Sequence, residues 1–234
     1  MATGTILALG GGGFSMEPRN PLLDEYILSR ARGRRPRVCF VGTASGDSPL
    51  YRARFYRSMG RLSCRPTHLS LFQPPEGSLR SFVLGQDVIY VGGGNTRALL
   101  VLWREWGLDR ILREAWKKGI VLAGISAGSI CWFEEGLSDA VEPGKLKPLP
   151  CMGFLPGSNC PHYDGEAERR PTYRRLVARG AMAPGLAADD GVALVFEGRR
   201  FAGAVSSRPA ARAWRVERAG GRAVETEYVP EYLG

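Results

Sequence analysis

A chain of 234 residues with 44% hydrophobic and 24% charged residues has the composition of an ordinary soluble globular protein, and enough length to bury one substantial core. No apolar run approaches the length of a bilayer-spanning helix. The net charge of +9 raises nucleic acid as a partner, but 28 of the 32 basic residues are arginines spread along the whole chain, and no recognition helix, zinc finger or RNA-recognition pattern accompanies them.

Met1-Ala2-Thr3-Gly4 lacks the basic start and long apolar run of a secretory signal, which points to a cytoplasmic protein. Five cysteines, Cys39, Cys64, Cys131, Cys151 and Cys160, are an odd number without metal-ligand spacing, so they read as reduced thiols and no metal is expected. Thr5–Leu9 reads as a first buried strand that runs into Gly10-Gly11-Gly12-Gly13, where backbone approaches another group closely. A helix over Pro21–Arg32, a strand over Arg37–Val41 with a polar turn from Gly42 to Ser48, and a helix over Pro49–Met59 follow. Cys64–Leu71 is a third strand, Pro74-Pro75 a surface loop, and Asp87–Val91 a fourth strand. That strand ends in Gly92-Gly93-Gly94-Asn95-Thr96, and helices over Arg97–Trp106 and Leu108–Lys118 lead to the apolar run Gly119–Ala123. Strands alternating with helices predict a single α/β domain over 1–234, a mostly parallel sheet with helices on both faces. Past residue 140 the prolines and glycines predict a long irregular connection from Val141 to Asn159, which could serve as a lid. A helix over Pro171–Arg179, a hairpin of Val192–Glu197 with Arg200–Val205, and an antiparallel pair of Trp214–Glu217 with Val224–Tyr228 close the chain.

The centre of this pattern is Gly124-Ile125-Ser126-Ala127-Gly128, a G-x-S-x-G turn between a buried strand and a helix. Such an elbow holds its serine in a tight backbone conformation and presents the hydroxyl at a helix N-terminus. The Ala127 amide then faces a developing oxyanion, and the Gly92-Gly93-Gly94 turn can supply the other donor. Read blandly, Ser126 is only a helix cap. As a nucleophile it needs a base, because a serine hydroxyl is protonated at neutral pH. Only His68 and His162 exist, and His162, in an irregular segment beyond the elbow, is the better placed. An orienting carboxylate would come from Asp139, Asp164, Asp189 or Asp190.

Three segments together, Tyr90–Thr96, Gly124–Ser129 and Cys160-Pro161-His162-Tyr163, resemble the peptidase E (aspartyl dipeptidase) and cyanophycinase family of serine peptidases. The resemblance runs from Thr5 to about Phe196. It implies a flavodoxin-like fold related to class I glutamine amidotransferases, closed by a C-terminal antiparallel hairpin, and a serine exopeptidase without cofactor acting on small peptides such as dipeptides with N-terminal aspartate. By resemblance Ser126 is the nucleophile, His162 the base, and Asp190 the third member, with Asp189 and Asp139 as alternatives. Gly93 or Gly94 and Ala127 would form the oxyanion hole, and Asn95 and Arg170 would bind substrate, Arg170 through its carboxylate. The same motifs fit a cyanophycinase-like enzyme cutting β-linked Asp-Arg units, or a non-hydrolytic binding module on the same fold. Association with further copies of the chain stays open.

Overall fold

The computed structural model describes residues 4–74 and 77–234. Among these, the elements in chain order are β1 (Thr5–Leu9), α1 (Gly13–Met16), α2 (Leu22–Ser29), β2 (Arg37–Val41), α3 (Pro49–Met59), β3 (Arg65–Leu69), α4 (Leu79–Leu84), β4 (Val88–Val91), α5 (Thr96–Glu105), α6 (Leu108–Lys117), β5 (Val121–Ile125) and α7 (Ala127–Ile130). They continue with β6 (Phe133–Glu142), β7 (Lys145–Pro150), β8 (Leu155–Cys160), α8 (Arg169–Ala178), β9 (Gly185–Ala188), β10 (Val192–Glu197), β11 (Arg200–Ser206), β12 (Ala213–Ala219), β13 (Arg222–Tyr228) and β14 (Glu231–Tyr232).

Two sheets result. The larger has the order β14-β11-β10-β1-β5-β4-β2-β3, and the neighbours from β1 through β5, β4 and β2 to β3 are all parallel. Its inner parallel strands β1, β5, β4 and β2 are almost wholly apolar because both faces are covered, whereas the edge strand β3 is polar. Leu7, Leu9, Val38, Phe40, Val88 and Tyr90 pack under α1, α2 and α3. The alternate residues, among them Ile6, Ala8, Cys39, Val41, Ile89 and Val91, pack against α4 to α7 and the second sheet. In α6 the apolar positions Leu108, Ile111, Leu112, Ala115 and Trp116 recur at helical spacing, and that face is the one buried.

The smaller sheet, β13-β12-β9-β8-β6-β7, takes in the region expected to be an irregular connection. That expectation is corrected: Val141–Asn159 forms the end of β6, the hairpin with β7, and most of β8. The misleading prolines have a physical place. Pro148 and Pro150 lie on β7, an edge strand, where a missing N–H costs no ladder bond. A segment tied into a sheet on one side does not act as a free lid. The helix expected after the elbow is a single turn, and α4, β9 and β14 were not foreseen. Both C-terminal antiparallel pairs form as expected, β10 with β11 and β12 with β13. Of the Pro74-Pro75 loop, Pro75 lies outside the described residues, as do Met1 to Thr3. No helix among the described residues is long and apolar enough to cross a membrane.

One buried carboxylate underlies the β1–α1 turn. Asp24 on α2 accepts a hydrogen bond from Tyr90 Oη at 3.1 Å and is 2% exposed. Burial, with Glu17 and Glu25 nearby adding to it against the Tyr90 and Phe14 hydrogen bonds, pushes its carboxyl up to about 7. A carboxyl that holds its proton more tightly when folded stabilises the protein below its ordinary range, and that stability is lost as pH rises toward 7 and beyond. Asp24→Asn is therefore expected to gain about 2–4 kcal/mol at pH 8 and nothing at pH 4, read from urea melts at the two pH values.

Candidate active site

The parallel strands deliver their carboxyl ends to one edge, which is where open α/β sheets gather ligands. At the end of β5, Ser126 has φ 56° and ψ −113°, a conformation that a non-glycine residue adopts only when its surroundings impose it. The flanking glycines are what permit it. A Cβ on Gly124 would lie 2.1 Å from the Gly128 carbonyl oxygen, and one on Gly128 would lie 2.4 Å from that of Val91. Ser126 occupies the N-cap position of α7, yet its side chain makes no capping hydrogen bond. The bland explanation of this serine therefore fails.

His162 follows β8 and is, with Asp47 and Ser126, one of three non-glycine residues at positive φ among the described residues. Its Nδ1 lies 2.7 Å from Asp190 Oδ1, and both side chains are nearly buried. Burial disfavours the ionised Asp190, but the hydrogen bond and charge of His162, with Arg208 and Arg169, outweigh it and hold the carboxyl below its ordinary range. An ionised carboxylate can only accept, so Nδ1 carries a proton toward it, and in the neutral imidazole the lone pair is then the one on Nε2.

The neighbouring aspartates have other work. Asp189 accepts from the Arg212 amide at 2.9 Å and Trp214 Nε1 at 3.4 Å, and Asp164 Oδ1 accepts from the Asp190 amide at 2.7 Å. Asp139 is exposed on β6 and lies outside this cluster. Asp190 is closely enclosed: a Cβ on Gly11 would meet its Oδ1 at 2.0 Å and one on Gly165 its Oδ2 at 2.4 Å.

The first strand's end joins these segments. The Ser126 amide donates to the Leu9 carbonyl at 3.2 Å, the His162 amide to that of Gly10 at 3.2 Å, and the Gly191 amide to that of Gly11 at 3.2 Å. Antiparallel pairing of β10 with β1, Ala193 opposite Leu9, carries Asp190 to this point.

Ser126 and His162 line one cavity of about 260 Å³, together with Gly93, Tyr51 and Ser15. Among the described residues that line it, Arg54 is the one Arg, Lys, Asp or Glu. The Ala127 amide is an orphan donor at the start of α7, and among the described residues the Gly94 amide has no protein acceptor. The Gly93 amide instead donates to Tyr51 Oη at 3.3 Å, which donates in turn to Ser15 Oγ at 2.8 Å. Tyr51, Ser15 and Arg54 were missed by sequence reasoning, since nothing in the helical pattern of α3 marks the face turned to the site and the single turn α1 that carries Ser15 has no pattern of its own.

Two anticipated substrate contacts are not brought to this cavity. Asn95 caps α5, its Oδ1 accepting from the Ala98 amide at 2.8 Å. Arg170 on α8 forks onto Glu225 of β13 with two bonds of 3.1 Å, and its guanidinium lies 4.2 Å over the Trp214 ring. Arg170→Ala is accordingly expected to lower the melting temperature by a few degrees, the worth of about 1–2 kcal/mol. It should leave the ratio of activities on acidic and neutral dipeptides unchanged. His68 lies between Arg52 (3.1 Å) and Tyr56 Oη (2.8 Å), apart from the elbow, and Cys160, fully buried, has its thiol pushed up to about 12.

A strained serine, a carboxylate-bound imidazole and a glycine turn thus meet at the strand ends of an α/β sheet, and comparison with known proteins makes the chain a peptidase. More narrowly, the chain is a member of peptidase family S51, whose sequence model matches residues 6–203. It is 57% identical over 229 residues to the uncharacterized peptidase YgaJ of Bacillus subtilis (strain 168), covering 98% of this chain and 99% of that one. Two solved structures share the fold at low identity. A peptidase from an acI-B1 Actinobacterium has a TM-score of 0.70 at 18% identity, covering 97% of this chain and 95% of its own. A candidate peptidase E from Listeria monocytogenes EGD-e has 0.63 at 17%, covering 88% and 99%.

Proposed function

We propose that the protein is a serine exopeptidase that hydrolyses small acidic peptides, with dipeptides bearing N-terminal aspartate as its simplest substrates. Ser126 Oγ attacks the scissile carbonyl while His162 Nε2 takes its proton and gives it to the leaving amine; water, deprotonated by His162 in the same way, then cleaves the acyl ester and the proton returns to Ser126. Asp190 keeps the imidazole in the productive tautomer and stabilises it when it becomes cationic. The amides of Ala127 and Gly94 receive the oxyanion, and Gly93, tied to Tyr51, holds the turn in place. The observation that carries this reading is the 2.7 Å contact between His162 Nδ1 and Asp190 on the cavity that also holds the strained, uncapped Ser126.

An acidic substrate is favoured by Arg54, which stands in the same cavity with no carboxylate beside it. A guanidinium binds a carboxylate through paired hydrogen bonds, so Arg54 takes the role that Arg170 cannot fill. The test is a panel of dipeptides varied at the first residue. Hydrolysis that favours aspartate, together with labelling of Ser126 alone by a serine-reactive phosphonate, is the expected result. Hydrolysis without phosphonate uptake at Ser126 would refute the nucleophile, and equal rates across the panel would refute the acidic preference.

A further inference from the structure

The cavity at Ser126 does not end at Arg54. It continues along α3 into a second cleft of about 510 Å³, and the two share Ser15, Met16 and Arg54. Arg19, Arg54, Arg57 and Arg61 line this cleft, and no carboxylate does. Nine other arginines of the described chain sit in salt bridges with Asp or Glu, but none of these four does. The nearest acidic residue in sequence, Glu17, is drawn away by Arg208 at 2.6 Å and Ser207 at 2.6 Å.

Arg54, Arg57 and Arg61 recur at i, i+3 and i+7, so α3 and the turn after it present them on one side. Like charges so placed repel one another, and among the described residues no Asp or Glu lies within ion-pair distance of any of the four to offset this. Unpaired arginines on a convex surface are ordinary in so arginine-rich a chain. Four around one concavity that opens on the candidate nucleophile are a binding surface for an anion.

We infer that this cleft is a subsite for the carboxylates of a peptide lying across Ser126, so that the preferred substrates are short peptides with several acidic side chains rather than dipeptides alone. The inference rests on the peptidase reading of Ser126. A peptide is favoured over a small free anion by the continuity of the two cavities: a ligand whose carbonyl reaches Ser126 has its further residues directed past Arg54.

Binding of triglutamate and of triglutamine to the Ser126→Ala protein, measured by calorimetry at low ionic strength, tests the subsite. Triglutamate is expected to bind about tenfold more tightly, the combined worth of two or more exposed ion pairs. That advantage should disappear in Arg57→Gln/Arg61→Gln and shrink as salt screens the charges. It should persist in Arg218→Gln/Arg222→Gln, which removes equal charge from the β12–β13 hairpin of the second sheet. Equal binding of the two peptides, or equal weakening by the remote pair, overturns the subsite. In the wild-type protein, hydrolysis of Asp-Leu with no advantage of Asp-Glu-Glu over Asp-Gln-Gln keeps the peptidase and overturns the subsite. Charge-selective binding without any hydrolysis keeps the subsite and refutes the catalytic reading.

Discussion

Replacing Ser126 by alanine is expected to reduce peptide hydrolysis by at least about 10³-fold while leaving stability within about 0.5 kcal/mol of the parent. The two halves of this result have separate causes. Activity falls because no other hydroxyl is held where Ser126 is, and what remains is the catalysis that an oxyanion site and substrate binding supply without a nucleophile. Stability is spared because the Ser126 side chain makes no capping bond, and alanine inherits the same positive φ at similar cost. A serine serving only as a helix cap would give the opposite pattern, a loss of about 1 kcal/mol with activity retained. Paired measurement of kcat/KM and a urea melt on one preparation separates them.

The second large effect is expected from Asp190→Asn, a fall in kcat of about 10³- to 10⁴-fold. The amide is nearly isosteric, so the enclosure by Gly11 and Gly165 survives. What changes is the direction of the hydrogen bond: an amide NH₂ toward Nδ1 favours the tautomer with the proton on Nε2, which leaves His162 no lone pair for Ser126. Stability moves as well. Asp190 is held below the ordinary carboxyl range when folded, so it stabilises the protein above that range and the contribution is lost as pH falls through it. The variant should therefore be less stable than the parent at pH 7, by about 1–3 kcal/mol, and the difference should close in acid. A variant as active as the parent would remove Asp190 from the proposed triad.

The parallel sheet was readable because every strand of it but β3 is a short apolar run stopped by glycine or a polar turn, and because the helices between them repeat at helical spacing. Of the second sheet only the β12–β13 pair was. Its strands carry proline and glycine at an edge and at an irregular pairing, Pro148 and Pro150 on β7 and Gly157 on β8, and local sequence there resembles a loop. At the site, the elbow and the two histidines were visible, but the choice between Asp189 and Asp190 depends on which of two adjacent carboxylates a turn directs inward. Arg170 was misassigned because its partner Glu225 is 55 residues away, on a strand whose packing against α8 the sequence did not disclose. Tyr51 and Arg54 lie on a helix with no motif at all, and only the arrival of α3 beside the glycine turns makes them part of the cavity.

The successive carbonyls of Leu9, Gly10 and Gly11 each hold one of the segments bearing Ser126, His162 and Asp190. The site thus has a ruler made of backbone, with divisions set by the fixed spacing of consecutive peptide units. Such a ruler is indifferent to which side chains β1 carries, so substitution along that strand can drift within the limits of packing. It is intolerant of a change in count. Insertion or deletion of one residue between Leu9 and Gly11 would put the segments held beyond it out of register with Ser126, without touching any of the three groups.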